Sequence, residues 1–159
     1  MAVATRSFRL LAPLAVALAL GGCVTAPKPL QGTWAATTPQ AATDQDRGTA
    51  VRWGGRLVEV RPAAASTCFD VIAQPLGANG APAGGDTSLG RFRACRAGFY
   101  DPAVFAPNRE VTFTGRLAGI DTVRIGDYDA KVPRIDADVV FLWPERRDVD
   151  VIVERSPWW

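Results

Sequence analysis

Between Val51 and Trp143 apolar side chains recur at every second residue in five separate runs, a spacing that commits most of the chain to strands with one buried face. Arg109 to Leu117 is the clearest run. Val111, Phe113, Gly115 and Leu117 stand on one side of it and Thr112, Thr114 and Arg116 on the other. Arg134 to Trp143 sets Ile135, Ala137, Val139 and Phe141 against Asp136 and Asp138, and Pro144 ends it. In the first run Val51, Trp53, Gly55 and Leu57 alternate with Arg52, Gly54 and Arg56. Val58 and Val60 then change the phase, so the adjacent glycines predict a bulge or sharp coil in one long strand. Thr67 to Ala73 and Arg91 to Arg96 supply a second and a third strand, separated by a Gly/Pro/Asn loop from Pro75 to Asp86. Asp148 to Glu154 reads as a sixth, charge-bearing edge strand.

One short helix is expected between the third and fourth strands. Asp101 would cap it, and Pro102 would take the first helical position, where a missing N–H costs nothing. Phe99, Tyr100 and Phe105 beside it are expected to plug one end of the structure. A long coiled strand, a hairpin, a brief helix and two more strands follow the order of an OB-type barrel. The fold class is therefore all-β, a small OB-like barrel of five to six strands, with a small β-sandwich left open as the alternative. Val111 and Phe113 are expected in its core, facing Trp53.

The second and third strands set their own register. If they pair antiparallel with Cys68 opposite Cys95, Asp70 falls opposite Arg93 on the same face. Phe69 then meets Ala94, and Val71 meets Phe92, on the buried face. A slip of one residue loses all three matches. A cross-strand disulfide follows from that register, two separately buried thiols being the rival.

The first 23 residues follow different rules. Arg6 and Arg9 precede an apolar run, Leu10 to Leu20, and Leu20-Gly21-Gly22-Cys23 closes the segment. A basic start, an apolar centre and a small-residue exit describe a secretory signal. Eleven helical residues rise only about 16 Å, roughly half the hydrocarbon core of a bilayer. The ending resembles the bacterial lipoprotein box, which implies cleavage before Cys23, a diacylglycerol on its thiol and an acyl chain on the new amine. Val24 stands where lipoproteins retained in the inner membrane often carry Asp, so the outer membrane is the expected address. Val24 to Arg47, with Pro27, Pro29 and Pro39 and few large apolar residues, reads as a flexible tether holding the domain off the membrane. The expected boundaries are 1–22 for the signal peptide, 23–47 for the lipidated N-terminus and tether, and 48–159 for the barrel domain.

Charge and composition narrow the chemistry. The signal carries two of the 18 basic residues and none of the 16 acids, so the mature chain is near neutral and has no general attraction to nucleic acid. Histidine is absent, which removes the commonest general base and the commonest metal ligand. Ser66, Ser88 and Ser156 lie outside any Gly-x-Ser-x-Gly elbow. Asp127 and Asp129 lack the spaced oxygens of a calcium loop, and Asp136 and Asp138 share the solvent face of a strand. No catalytic residue, metal site or cofactor is expected. Cys68 and Cys95 form an even pair suited to an oxidising compartment.

With those residues in place, the chain resembles the Slp family of outer-membrane lipoproteins. The resemblance lies in Val51 to Val58, Phe69 to Leu76, Gly90-Arg91-Phe92 through Gly98-Phe99-Tyr100-Asp101-Pro102, Val111 to Gly119 and Val139 to Pro144. Some members lack the Cys68 and Cys95 equivalents and have a longer C-terminal tail. The resemblance implies a lipid-anchored outer-membrane protein associated with starvation or stress, and it brings no catalytic residues. The domain is expected to face the periplasm. Its role would be structural or partner-binding. The alternative is a module that binds a small ligand or glycan, such as lipopolysaccharide or peptidoglycan, on a face lined by Arg91, Arg93, Arg96 and Arg116, with Arg109 nearby. The plainer reading of those arginines is a solvated surface paired with acids. Trp158 and Trp159 either pack on the core or rest at the membrane interface.

Overall fold

The computed structural model describes residues 25–145; the signal segment, Cys23, the expected sixth strand, Trp158 and Trp159 lie outside them. Five strands close into a barrel in the order β1-β2-β3-β5-β4, with β4 returning to β1. They are β1 (Ala50–Pro62), β2 (Ser66–Gln74), β3 (Arg91–Ala97), β4 (Glu110–Ile125) and β5 (Tyr128–Leu142). All neighbours run antiparallel except β3 and β5, which are parallel and share three ladder pairs, Arg93–Cys95 against Arg134–Asp136. The OB-type expectation holds.

The coil in β1 arises where the sequence breaks phase. Its register on β2 passes from Leu57 opposite Val71 to Glu59 opposite Asp70, so Val58 is the extra residue of a bulge. The glycines just before it are dictated by close approach. A Cβ on Gly55 would lie 1.9 Å from the Ile72 carbonyl oxygen, and one on Gly54 would lie 2.6 Å from that of Val111. Both neighbouring strands close on β1 at that point.

Four aromatic rings fill the interior. Trp53 pairs directly with Phe113. Phe92 meets the two edge-on, at 5.5 Å and 5.9 Å between ring centres, and Phe69 lies 5.3 Å from Phe113. Val111 and Phe113 are fully buried, as the alternation requires. At one end Tyr100 and Phe105 set their edges on Phe69 at 5.3 Å and 5.4 Å, and so plug the barrel. Phe99 does not join them; it is 71% exposed.

The short helix expected there is a single turn. The Asp101 carboxylate accepts from the Ala103 N–H, and its carbonyl accepts from Val104 and Phe105. Tyr100 and Phe105 must both enter the barrel, and Pro107 follows at once, so the chain has no length for a second turn. Strands β4 and β5 instead run longer than expected. Beyond Gly119 and Arg134 they pair only with each other, in a ribbon turned by Gly126 (φ 59°) and Asp127.

The stretch read as a flexible tether is corrected by the structure. Leu30 is fully buried and Ala26 is 8% exposed. The Arg52 guanidinium donates to the Leu30 carbonyl at 3.0 Å, and the Trp53 indole N–H donates to that of Thr37 at 2.7 Å. Backbone bonds join Ala35 to Ala50, Gln40 to Leu89 and Gly48 to Leu117. Prolines and small residues make no core of their own. Here they lie flat on a barrel wall, and one leucine seals the contact.

Candidate functional site

Two regions of the described domain concentrate chemistry. The first is the outer wall of β2 and β3. Cys68 lies opposite Cys95, Asp70 opposite Arg93, Phe69 opposite Ala94 and Val71 opposite Phe92, so the register argued from side chains is the register observed. A disulfide links the two cysteines, whose Cα atoms are 4.1 Å apart.

Beside it Asp70, only 4% exposed, accepts from Arg93 Nε at 2.8 Å and Nη2 at 3.2 Å, and from Arg61. Arg61 also holds Glu59 at 3.1 Å. On the other side Arg93 and Arg134 face each other across the parallel seam. Such a pair would repel, but Asp121 of β4 lies 3.8 Å from Arg93 and 3.4 Å from Arg134. Arg134 ends the series on Asp136 at 2.9 Å. Seven charged residues thus form a belt that touches all five strands. The Arg93 guanidinium is held charged more firmly than an ordinary arginine, chiefly by its hydrogen bonds to Asp70 and against the opposing effect of burial.

The arginines proposed as a ligand face are spread around the barrel. Arg91 and Arg93 share the outer side of β3. Arg96 follows the inward parity of Phe92 and Ala94 at the strand's end, and donates to the Ala137 carbonyl at 3.2 Å. Arg116 lies on β4 opposite Asp136 and donates to the Gly48 carbonyl at 2.9 Å. Arg109 reaches the Val104 and Trp143 carbonyls at 3.3 Å and 3.0 Å.

The second region had no sequence signal beyond Trp34, the one aromatic residue between Val24 and Arg47. A groove of about 630 Å³ runs between residues 32–39 and strands β1 and β2, lined by Trp34, Thr38, Arg52, Trp53, Gln74 and Leu89 among others. Gln74 is 6% exposed; its amide nitrogen donates to the Gly85 carbonyl, while its oxygen is buried without a hydrogen-bond partner.

Three comparisons bear on these features. The family model for the outer membrane lipoprotein Slp family matches residues 20–159. The uncharacterized lipoprotein YeaY of Escherichia coli is 33% identical over 118 residues, which is 70% of this chain and 60% of that one. An uncharacterized protein of Haemophilus influenzae is 29% identical over 136 residues, covering 81% of this chain and 73% of its own. Among solved structures, a small single-stranded DNA-binding protein from Streptomyces coelicolor overlaps 60% of this chain and 94% of that one, at TM-score 0.38 and 14% identity.

Proposed function

This chain belongs to the outer membrane lipoprotein Slp family, and from that membership we propose a lipid-anchored envelope protein whose barrel has a structural or partner-binding role without catalysis. In this reading Cys23 carries the lipid, the outer membrane holds it, the domain faces the periplasm, and the protein serves under starvation or stress. The observation that carries the reading is the extent of the family match. It begins at residue 20, takes in Leu20-Gly21-Gly22-Cys23 and continues through the whole barrel.

The test is Cys23→Ser in the full chain. The variant should lack acyl mass and leave the membrane fraction while keeping its disulfide-bonded barrel. Recovery of acylated variant with the outer membrane would overturn the reading. In-cell crosslinking of the mature protein, followed by mass spectrometry, would then identify what it touches.

A second reading, a carrier of a small glycan, is favoured by one observation: a single groove is lined by Trp34, Trp53 and Gln74, whose buried amide oxygen has no hydrogen-bond partner. Sugar rings stack on indoles and their hydroxyls donate to amides. Peptidoglycan fragments titrated into labelled domain should shift both indole N–H signals; unmoved signals remove the reading.

A further inference from the structure

We infer that the wall formed by β1, β4 and β5, beneath residues 25–31, lies directly against the lipid surface, with the Asp70–Arg93 wall turned away from it. The inference rests on lipidation of Cys23 as proposed above, and on how little chain follows that residue before the domain begins. Only Val24 and Thr25 separate Cys23 from Ala26.

Ala26 is not the free end of a tether. It is 8% exposed, its carbonyl accepts from the Gln31 amide at 2.7 Å, and Leu30 is locked beneath the surface four residues on. Three residue steps at full stretch reach about 10–11 Å. A domain of this size is roughly 35 Å across. The leash is therefore about a third of the domain's width, too short for the domain to swing round and present its opposite side. The strand order settles which side that is. β4 sits between β1 and β5, so the β2–β3 pair lies across the barrel from it.

The chemistry where the chain leaves the domain suits the interface. Residues Lys28–Leu30 pack on β4 and β5. Phe141 near the end of β5 and Trp143 just beyond it are half-buried, with ring centres 4.6 Å apart. The Trp143 N–H is satisfied by the Thr112 hydroxyl at 2.9 Å, which donates in turn to the Gly80 carbonyl at 2.7 Å. Gly80 abuts both Leu30 and Ala26. Aromatic rings with a satisfied polar edge are favoured at the headgroup level, and the exposed Lys28 ammonium can meet anionic phosphates there.

The test uses the full lipoprotein purified from envelopes and reconstituted in vesicles of phosphatidylethanolamine and phosphatidylglycerol. A fluorophore is placed on Lys28→Cys or on Arg91→Cys, the native disulfide being kept, and quenched by lipids carrying a spin label near the headgroup. Quenching should be several-fold stronger at position 28 than at 91. Equal quenching, or the reverse order, overturns the inference. A Gly/Ser insertion of about 15 residues between Val24 and Thr25, spanning about 20 Å as a coil, should abolish the difference. A difference that survives the insertion shows that the leash does not set the orientation and overturns it as well. Intact mass of each sample reads acylation separately. Chains without acyl groups would overturn the anchor at Cys23, and the orientation with it.

Discussion

Thr112 and Asp70 both project outward from the barrel, and both are buried, yet different things bury them. Over Thr112 lies the chain itself, Gly80 and its loop together with residues 25–31. The hydroxyl there is neutral and makes two hydrogen bonds. Among the described residues, the side chains of Arg61 and Arg93 meet Asp70, and their guanidinium groups satisfy the carboxylate. A neutral group with its bonds made tolerates complete cover by backbone. A charge does not, and must be covered by groups that carry the opposite charge. One wall is thus sealed by folding the chain over it, and the other is held in place by ion pairs and a disulfide while remaining open to solvent at its rim.

Phe113 underlies both walls and sets the scale for perturbing either. Phe113→Ala should cost about 3–5 kcal/mol by urea unfolding, and a loss below about 1 kcal/mol would show that the residue is not in the core. Next in size is the open wall's disulfide. Replacing Cys68 and Cys95 together by Ala should cost about 3.5 kcal/mol on the chain-entropy account of a loop of this length. For the sealed wall, Leu30→Ala is expected to cost about 2–3 kcal/mol. A negligible effect would mean that residues 25–31 lift off before the barrel unfolds, leaving both walls equally bare. Asp70→Asn should cost about 1–2 kcal/mol, less than for a fully buried pair because Arg61 is 42% exposed and screened. Arg134→Ala, at the exposed end of the belt, should fall below about 0.5 kcal/mol in the same assay. If it instead matches Asp70→Asn, the belt behaves as one coupled network.

The open wall was legible in the sequence and the sealed wall was not. Cys68, Asp70, Phe69 and Val71 each have a complementary partner at one register on β3, so period-two pairing alone found the arrangement. The bulge in β1 was legible from Gly54, Gly55 and the phase change at Val58 for the same reason. No periodicity marks residues 25–49. They pack through backbone bonds to β1, β4 and Leu89, and a backbone carbonyl looks the same in every residue. The ribbon beyond Leu117 was also missed. Ala118 and Gly119 interrupt the alternation where the β4–β5 register shifts, so the pattern stops while the strand continues. Phe99, Tyr100 and Phe105 were grouped by type, but only the geometry of the turn decides which two face inward.

The β3–β5 seam also has something to say about the order in which the chain assembles. It rests on three residue pairs joining segments 41 residues apart, 93 against 134. Each antiparallel pairing, by contrast, spans at least seven. Closing a long loop for three ladder pairs gains few backbone hydrogen bonds until the rest of the sheet is present. The expected route is an open sheet, β3-β2-β1-β4-β5, that rolls up and zips this edge last. The same edge should breathe first. In native-state hydrogen exchange, amides of β3 and β5 along the seam should exchange faster than those of the β1–β4 pairing, with Asp121 the acid that draws the two facing arginines back together.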